Sequence, residues 1–512
     1  MRRTVAIAAG TLAPTVAALL TACAVGPNYR PPATPVPPAY AAAAQSPGVS
    51  AAAGDLRAWW ARFRDPELTS LIRRALAGNL DLKSAASRIR AAREQEIIAG
   101  AGRLPQLNAD ASVDRTHISQ NSGISEFANL FGGGQGSGGG AGSGSGGVGG
   151  IGPPATSFTV YSLGFDASWE LDVFGGVRRG IEQAQAAAEQ AVWAARDSEV
   201  TLAAEVANDY LTLRVLQRQA AIAREEIARQ RQTLALIRAR RQFGLVTELD
   251  VREQQTQLAA SQVALPDLHA QIAARIHALG VLLGAPPETL DRELSSAQAL
   301  PERPPAVPVG LPSALLRRRP DIRAAERALA ASNAAVGVAV ADLYPRISLT
   351  GALGLVSIDL TRLLDGSSRQ SSATGALSWP IFAGRQIRAN IRVAEEKHRQ
   401  ALYAYRSAVL RSLQDVEDAL TRYGDEQKKN AAVRHELSEA QSAADVALAQ
   451  YKAGLTSFTP VLTAQGTVLT ARDALAQSDG ALDSDLVSLY KALGGGWAEG
   501  SGGAGPAYRA RG

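Results

Sequence analysis

Between Gly176 and Phe243 the chain carries no proline and only one glycine, Gly180. A stripe stepping alternately four and three residues runs through this stretch from Ile181 to Ile237, and thirteen of its seventeen positions are apolar, the pattern of a coiled-coil seam. At about 1.5 Å per residue, some 65 residues of helix would reach about 100 Å, further than an ordinary globular domain extends. A second stretch, from Gly384 to Ala453, repeats the design with one glycine, Gly424. The chain is 46% hydrophobic but only 5% aromatic, so alanine fills much of the seam, and alanine lets helices approach closely enough to stand side by side as a thin wall. Beyond each long helix, residues 246–283 and 456–493 read as return helices, and Pro266 is expected to kink or divide the first.

The similarity of the two stretches extends to the rest of the chain. Trp169 and Trp379, Gly244 and Gly454, and Leu283-Gly284 and Leu493-Gly494 are each 210 residues apart. Upstream, Asp81 matches Asp321, and Leu104-Pro105 matches Tyr344-Pro345, at an offset of 240. The chain therefore reads as two structural repeats, 58–284 and 313–494, separated by a Pro-rich linker over 285–312. The first copy holds 30 extra residues between its proline and its tryptophan. That interval includes the Gly-rich segment 132–150, which can bury nothing and reads as a floppy loop.

Each copy also carries two candidate strands. In the first, Tyr161, Leu163, Phe165, Ala167 and Trp169 alternate with small or polar residues, as do Leu107, Ala109, Ala111 and Val113. In the second, Ile347, Leu349, Gly351, Leu353 and Leu355 alternate, and so do Ala373, Gly375, Leu377 and Trp379. Period-two alternation over about ten residues, ending on tryptophan, fits a membrane strand with lipid on one side and a wet lumen on the other. Four strands cannot close a barrel, and an open sheet edge is not tolerated in lipid, so the pattern demands a dimer of eight strands or a trimer of twelve.

The N-terminus agrees with a membrane destination. Arg2 and Arg3 precede an apolar run that ends Leu20-Thr21-Ala22-Cys23, a secretory signal peptide over 1–22 in the style of a bacterial lipobox. Cys23, the only cysteine, is thus expected to carry covalent diacylglycerol and palmitate and to become the first mature residue. No other cofactor is expected. Ala24 is not the aspartate that would suggest retention at the inner membrane, so the anchor is expected in the outer membrane. Residues 23–57 read as a Pro-rich tether, semi-extended rather than packed, and 495–512 as a Gly-rich tail. A formal charge of +5 without a basic stripe gives no reason to expect nucleic-acid binding, and five scattered histidines give none to expect a metal.

Taken in order along the chain, several motifs resemble the TolC-type outer-membrane efflux factors, and within them the lipoprotein (NodT/OprM-like) branch. They are Cys23-Ala-Val-Gly-Pro-Asn-Tyr-Arg-Pro-Pro32, Trp59-Trp60-Ala-Arg-Phe63 with Asp65-Pro66-Glu67-Leu68, and Gly310-Leu-Pro-Ser-Ala-Leu-Leu-Arg-Arg-Arg-Pro-Asp-Ile-Arg323. To these are added the turns Phe243-Gly-Leu-Val-Thr-Glu-Leu-Asp-Val251 and Tyr451-Lys-Ala-Gly-Leu-Thr-Ser-Phe458. The resemblance implies a mainly helical protein with membrane strands: a homotrimer whose 12-strand β-barrel continues into a 12-helix α-barrel reaching across the periplasm. It also implies a periplasmic membrane-fusion adaptor and an inner-membrane pump, proton-driven and of the RND type, as partners.

By the same resemblance, Gly244, Leu245, Val246 and Thr247 form one adaptor-docking tip and Gly454, Leu455, Thr456 and Ser457 the other, with Asp250 and Tyr451 at the periplasmic gate. Tyr161, Leu163, Phe165, Trp169, Ile347, Leu349, Leu353, Leu377 and Trp379 would face lipid. Asp250 reads equally well as a helix-start carboxylate, favourable at the dipole, and Tyr451 as a residue packed along the seam. The family's namesake has an arginine two residues after the second tip's glycine where this chain has Thr456, and Pro460 and Thr463 stand where lumen aspartates are common in the family, so another contact must hold the gate. No catalytic constellation is present, which leaves a passive exit duct for small toxic compounds; a type I secretion outlet or a non-conducting coiled-coil scaffold are the alternatives.

Overall fold

The computed structural model describes residues 24–45, 47–50, 52, 54–117, 157–304 and 306–497; Cys23, the Gly-rich loop and the tail beyond Trp497 lie outside them. The strands are β1 (Val49–Ser50), β2 (Gln106–His117), β3 (Ser157–Leu171), β4 (Val307–Pro308), β5 (Arg346–Ser357) and β6 (Arg369–Ser378). The helices are α1 (Pro66–Gly78), α2 (Leu80–Ala101), α3 (Gly176–Gln242), α4 (Glu248–Leu282), α5 (Asp291–Leu294), α6 (Pro312–Arg318), α7 (Pro320–Ala341), α8 (Gln386–Lys452) and α9 (Thr459–Ala492). Two compact units result, one built on the sheet (residues up to Pro27, Ile97–Ile181 and Ala334–Ala394) and one on the helices (Asn28–Glu96, Glu182–Asn333 and from Glu395 on).

In the sheet unit, four antiparallel strands stand in the order β2-β3-β5-β6. The register puts every apolar set on one face: Leu107, Ala109, Ala111 and Val113 oppose Ala167, Phe165, Leu163 and Tyr161. Phe165 and Trp169 in turn oppose Leu353 and Leu349, and Ile347 opposes Leu377. Because side chains alternate with a period of two, a one-residue slip anywhere would have scattered this face.

In the helical unit, α3 and α8 are single helices of 67 residues each, unbroken by Gly180 or Gly424. Ten of the seventeen seam positions of α3 are buried, Leu202, Val206, Leu213, Leu216, Ala220, Ile227, Gln230, Leu234 and Ile237 among them, but the buried face is wider than the seam and takes in Ala203, Ala207, Tyr210, Leu211 and Arg214 as well. The main core gathers on Trp59, Trp60 and Phe63, in a short 3-10 turn ahead of α1, against the midpoint of α3 and the end of α9. Trp59 is wholly buried and stacks on Tyr490 at 5.2 Å between ring centroids. Asp65 accepts from the amides of Glu67 and Leu68 at 2.8 and 2.9 Å, capping α1 ahead of Pro66, and its other oxygen accepts from the Tyr210 hydroxyl at 2.7 Å.

Two expectations need correction. Pro266 does not divide the return helix: α4 runs through it from Glu248 to Leu282. Pro266 is exposed, so the carbonyl of Gln262 that loses its intrahelical donor can turn to water. The N-terminal segment, expected as an unpacked tether, is instead a strap on the helical unit. Tyr40 is buried, Tyr29 and Val36 pack against Ile322, Leu329, Tyr405 and Val409, and the amides of Ala41 and Ala42 donate to the Glu417 carboxylate at 2.8 and 2.9 Å. Further on, β1 pairs in parallel with β4, tying the strap to the linker. Proline removes amide donors and stiffens the chain, but the apolar side chains between the prolines still find partners.

Candidate functional sites in the sheet and the helix tips

The sheet presents a continuous apolar face that nothing among the described residues covers. Phe165, Leu353 and Leu377 are 57%, 63% and 66% exposed, and Leu163, Trp169, Leu349 and Trp379 are exposed with them, while Tyr161 and Ile347 are half-buried. An apolar patch of this breadth marks contact with lipid or with another protein. The opposite face carries Asn108, Asp110, Ser112 and Asp114 beside Ser162, Asp166 and Ser168, with Ser348, Thr350, Ser372 and Thr374 further across. Both tryptophans are fixed the same way: the indole N–H of Trp169 donates to the Arg103 carbonyl and that of Trp379 to the Leu343 carbonyl, each at 3.0 Å. The outer edges of β2 and β6 have no strand beside them among the described residues.

Close to the inner end of β3, the chain around the expected lipid anchor is firmly held. The amide of Val25 donates to the Phe174 carbonyl at 3.0 Å, and Arg179 reaches back to the carbonyls of Val25 and Gly26. Ala24 lies so close to Gly175 that a Cβ there would come within 2.6 Å of its Cα. Cys23 itself lies outside the described residues.

The helix tips close with the same backbone motif. The amides of Gly244 and Leu245 donate to the carbonyls of Arg241 and Arg240, and those of Gly454 and Leu455 to Tyr451 and Gln450. This is the Schellman arrangement, and it needs positive φ at the residue past the helix, 69° at Gly244 and 74° at Gly454. Leu245 and Leu455 then project into solvent, 68% and 78% exposed, with Phe243 beside the first. Val246 is half-buried against the tip cluster, and Ser457 is exposed.

The segments leaving the two turns differ. Thr247 and Asp250 form a capping box at the start of α4: the Asp250 amide donates to Thr247 Oγ1 at 3.2 Å, and Asp250 Oδ2 accepts from the Thr247 amide and hydroxyl at 2.8 Å each. Asp250 is thus the helix-start carboxylate of the simpler reading. The second turn has no side-chain cap; Pro460 occupies the first turn of α9, and Thr463 bonds back to its own helix at the Thr459 carbonyl. Tyr451 is buried between α3 and α9, with its ring 5.1 Å from that of Phe458 and the Arg240 guanidinium 5.0 Å from its centroid. It joins Leu234, Ile237, Val251 and Val461 in a small core that binds the two tips, and its buried hydroxyl has no hydrogen-bond partner among the described residues. Where the resemblance led one to expect an arginine, this chain has an aromatic cluster with Arg240 laid on the Tyr451 ring.

Sequence reasoning missed the charges that fasten the linkers. Arg319, in the Arg-Arg-Arg-Pro-Asp run, donates to both oxygens of Asp321 at 3.0 and 2.7 Å, to the Ala492 carbonyl at 3.1 Å, and pairs with Asp415 at 3.0 Å. Arg303 reaches from the inter-repeat linker to Asp479 and to the wholly buried Asp483. Burial pushes the Asp483 carboxyl up to about 6 against the pull of Arg303. The Arg-Pro-Asp spacing hinted at the first; nothing local signals the second, whose partners are 180 residues apart.

Comparison with known proteins gives one consistent answer. The family described as outer membrane efflux protein matches residues 71–285 and 311–495. The pyoverdine export outer membrane protein OpmQ of Pseudomonas aeruginosa is 34% identical over 450 residues, covering 87% of this chain and 88% of its own length. The outer membrane protein OprJ of the same organism is 33% identical over 502 residues, 96% of each chain. Among solved structures, the outer-membrane channel OprN superposes with a TM-score of 0.82 at 35% identity, over 93% of this chain and 100% of that one.

Proposed function

This chain belongs to the outer membrane efflux protein family, and from that premise we propose that it assembles as a homotrimer forming a passive exit duct. It is the outer-membrane component of an efflux system. On this proposal, three copies of the four-stranded sheet close into a barrel of about twelve strands, with the apolar face toward lipid and the Asp110–Asp166 face toward a wet lumen. The helical unit, three times over, would make the wall of the periplasmic tunnel, each copy being an internal duplication.

The observation that carries the proposal is the sheet itself. Among the described residues it has one continuous apolar face and two unpaired edges, which is stable in lipid only if copies pair edge to edge. The lipobox supports acylation of Cys23, and the bonds holding Val25 and Gly26 support an anchor placed near the tryptophan girdle. The exposed leucines of the tips, Leu245 and Leu455, are suited to receive a periplasmic adaptor, with Val246, Thr247, Thr456 and Ser457 flanking them. Behind the adaptor stands an inner-membrane pump, proton-driven and of the RND type. Asp250 and Tyr451 would act at the gate by fixing the two turns.

The test is the full-length protein purified from outer membranes. Native mass spectrometry is expected to return three chains, and planar-bilayer recording a pore that opens more readily once the tip is loosened by Asp250→Ala. A chain that is monomeric, or a trimer silent in both forms, would overturn the proposal.

A further inference from the structure

We infer the register in which one copy's β6 joins the next copy's β2; the inference rests on the trimeric closure proposed above and adds to it which residues meet. Within one chain, β3 pairs with β5 as the last strand of one repeat beside the first strand of the other. In a closed ring, β6 beside the neighbouring β2 is the same junction once more. The offsets read from the sequence carry β3 onto β6 by adding 210 and β5 onto β2 by subtracting 240. Trp169 opposite Leu349 becomes Trp379 opposite Ala109. Ala167 opposite Gly351 becomes Leu377 opposite Ala111, and Phe165 opposite Leu353 becomes Gly375 opposite Val113.

Two features of the structure agree with it. First, it keeps parity: apolar residues of β6 meet apolar residues of β2, and on the other face Ser378 meets Asp110, Ala376 meets Ser112 and Thr374 meets Asp114. A register displaced by one residue would set Asp110 and Asp114 against the lipid-facing row. Second, the offset of 240 holds in space as well as in sequence: Trp169 bonds to the carbonyl of Arg103, and Trp379 bonds to that of Leu343, the residue 240 further on.

Cysteine pairs test the register. Thr374→Cys with Asp114→Cys, and separately Ala376→Cys with Ser112→Cys, place thiols on the wet face where oxidant can reach them. Both pairs lie on one face and so are of one type; at Gly164 and Gly354, the pair carried onto Thr374 and Asp114, a Cβ on the first would lie 3.0 Å from the Cα of the second, the close approach a disulfide needs. Oxidation of the assembled protein is expected to give covalent dimers and trimers on denaturing gels for at least one of these pairs. The displaced pairs, Thr374→Cys with Ser112→Cys and Ala376→Cys with Asp114→Cys, and each single cysteine are expected to give none. Linkage by a displaced pair in preference, or by no pair in a preparation that is trimeric by native mass, overturns the register while leaving the trimer intact. A wild-type chain that is monomeric by native mass overturns the closure and the register with it.

Discussion

Arg303 donates through Nε to Oδ1 of Asp483 at 2.5 Å, although the two are 180 residues apart and the aspartate is wholly buried in α9. The second guanidinium nitrogen bonds the Asp479 carbonyl at 2.7 Å, so a single side chain pins the linker to the last helix. Removing one partner of a buried pair leaves a charge without solvent or counterion, at a cost of about 3–5 kcal/mol. Arg303→Ala is therefore expected to lower the thermal midpoint of the purified protein markedly at pH 8.

The pH dependence of that variant follows from Asp483. Its carboxyl sits at about 6 when folded, above the usual carboxylate value of 3.8, because burial raises it more than Arg303 lowers it, with Asp479 adding a smaller rise. The folded state thus binds the proton more tightly than the unfolded chain. The stability this group contributes is full below pH about 4 and falls as pH rises through about 6. Without Arg303 the folded value climbs further, so at pH 5 the carboxyl is protonated and the deficit shrinks. Equal deficits at pH 5 and pH 8 would show that Asp483 is not the source.

Asp250→Ala and Thr247→Val should behave alike. Each removes half of the same capping box, worth about 1 kcal/mol at the start of α4. Hydrogen exchange over residues 248–254 is expected to accelerate in both, and single-channel opening to become easier in both. Easier opening in Asp250→Ala alone would mean that the negative charge, and not the cap, holds the gate.

The strands and long helices could be read from the sequence because their signals are local and repeated. Tyr161 to Trp169 alternate with a period of two, and the stripe from Ile181 to Ile237 keeps its step for sixteen intervals. Gly244 and Gly454 were legible too, since a reversal of this kind needs positive φ. What failed to show was long-range. The strap looked unpacked because its prolines are visible in the sequence, whereas Glu417, which receives the amides of Ala41 and Ala42, lies more than 370 residues away. Likewise, Asp250 and Tyr451 could be picked out but not assigned a contact. The cap needs only Thr247 nearby, but the ring cluster needs Leu234 and Arg240 brought from α3 and Phe458 from the start of α9.

Trp59→Ala should cost about 3–5 kcal/mol, since it empties a wholly buried indole site stacked on Tyr490. Trp59→Phe should recover most of that, because the indole N–H has no hydrogen-bond partner among the described residues to lose. Denaturation midpoints of the detergent-solubilised variants check the order. Equal losses for both would place the value of Trp59 in its N–H.

The lipid anchor and the strap should come apart as separate functions. Cys23→Ser is expected to abolish incorporation of labelled palmitate, yet residues 28–50 should stay protected from limited proteolysis, because Tyr29, Val36 and Tyr40 hold them to the helical unit. Glu417→Ala should do the reverse: palmitate is retained while cleavage near Ala41 and Ala42 quickens, since their amides lose the carboxylate that accepts from both. Backbone donors left without an acceptor cost of the order of 1–3 kcal/mol where they are buried and less where water reaches them, so the expected change is local opening and not unfolding. Should Cys23→Ser expose the strap to protease as readily as Glu417→Ala does, the segment would be held by its acyl chains and not by its packing.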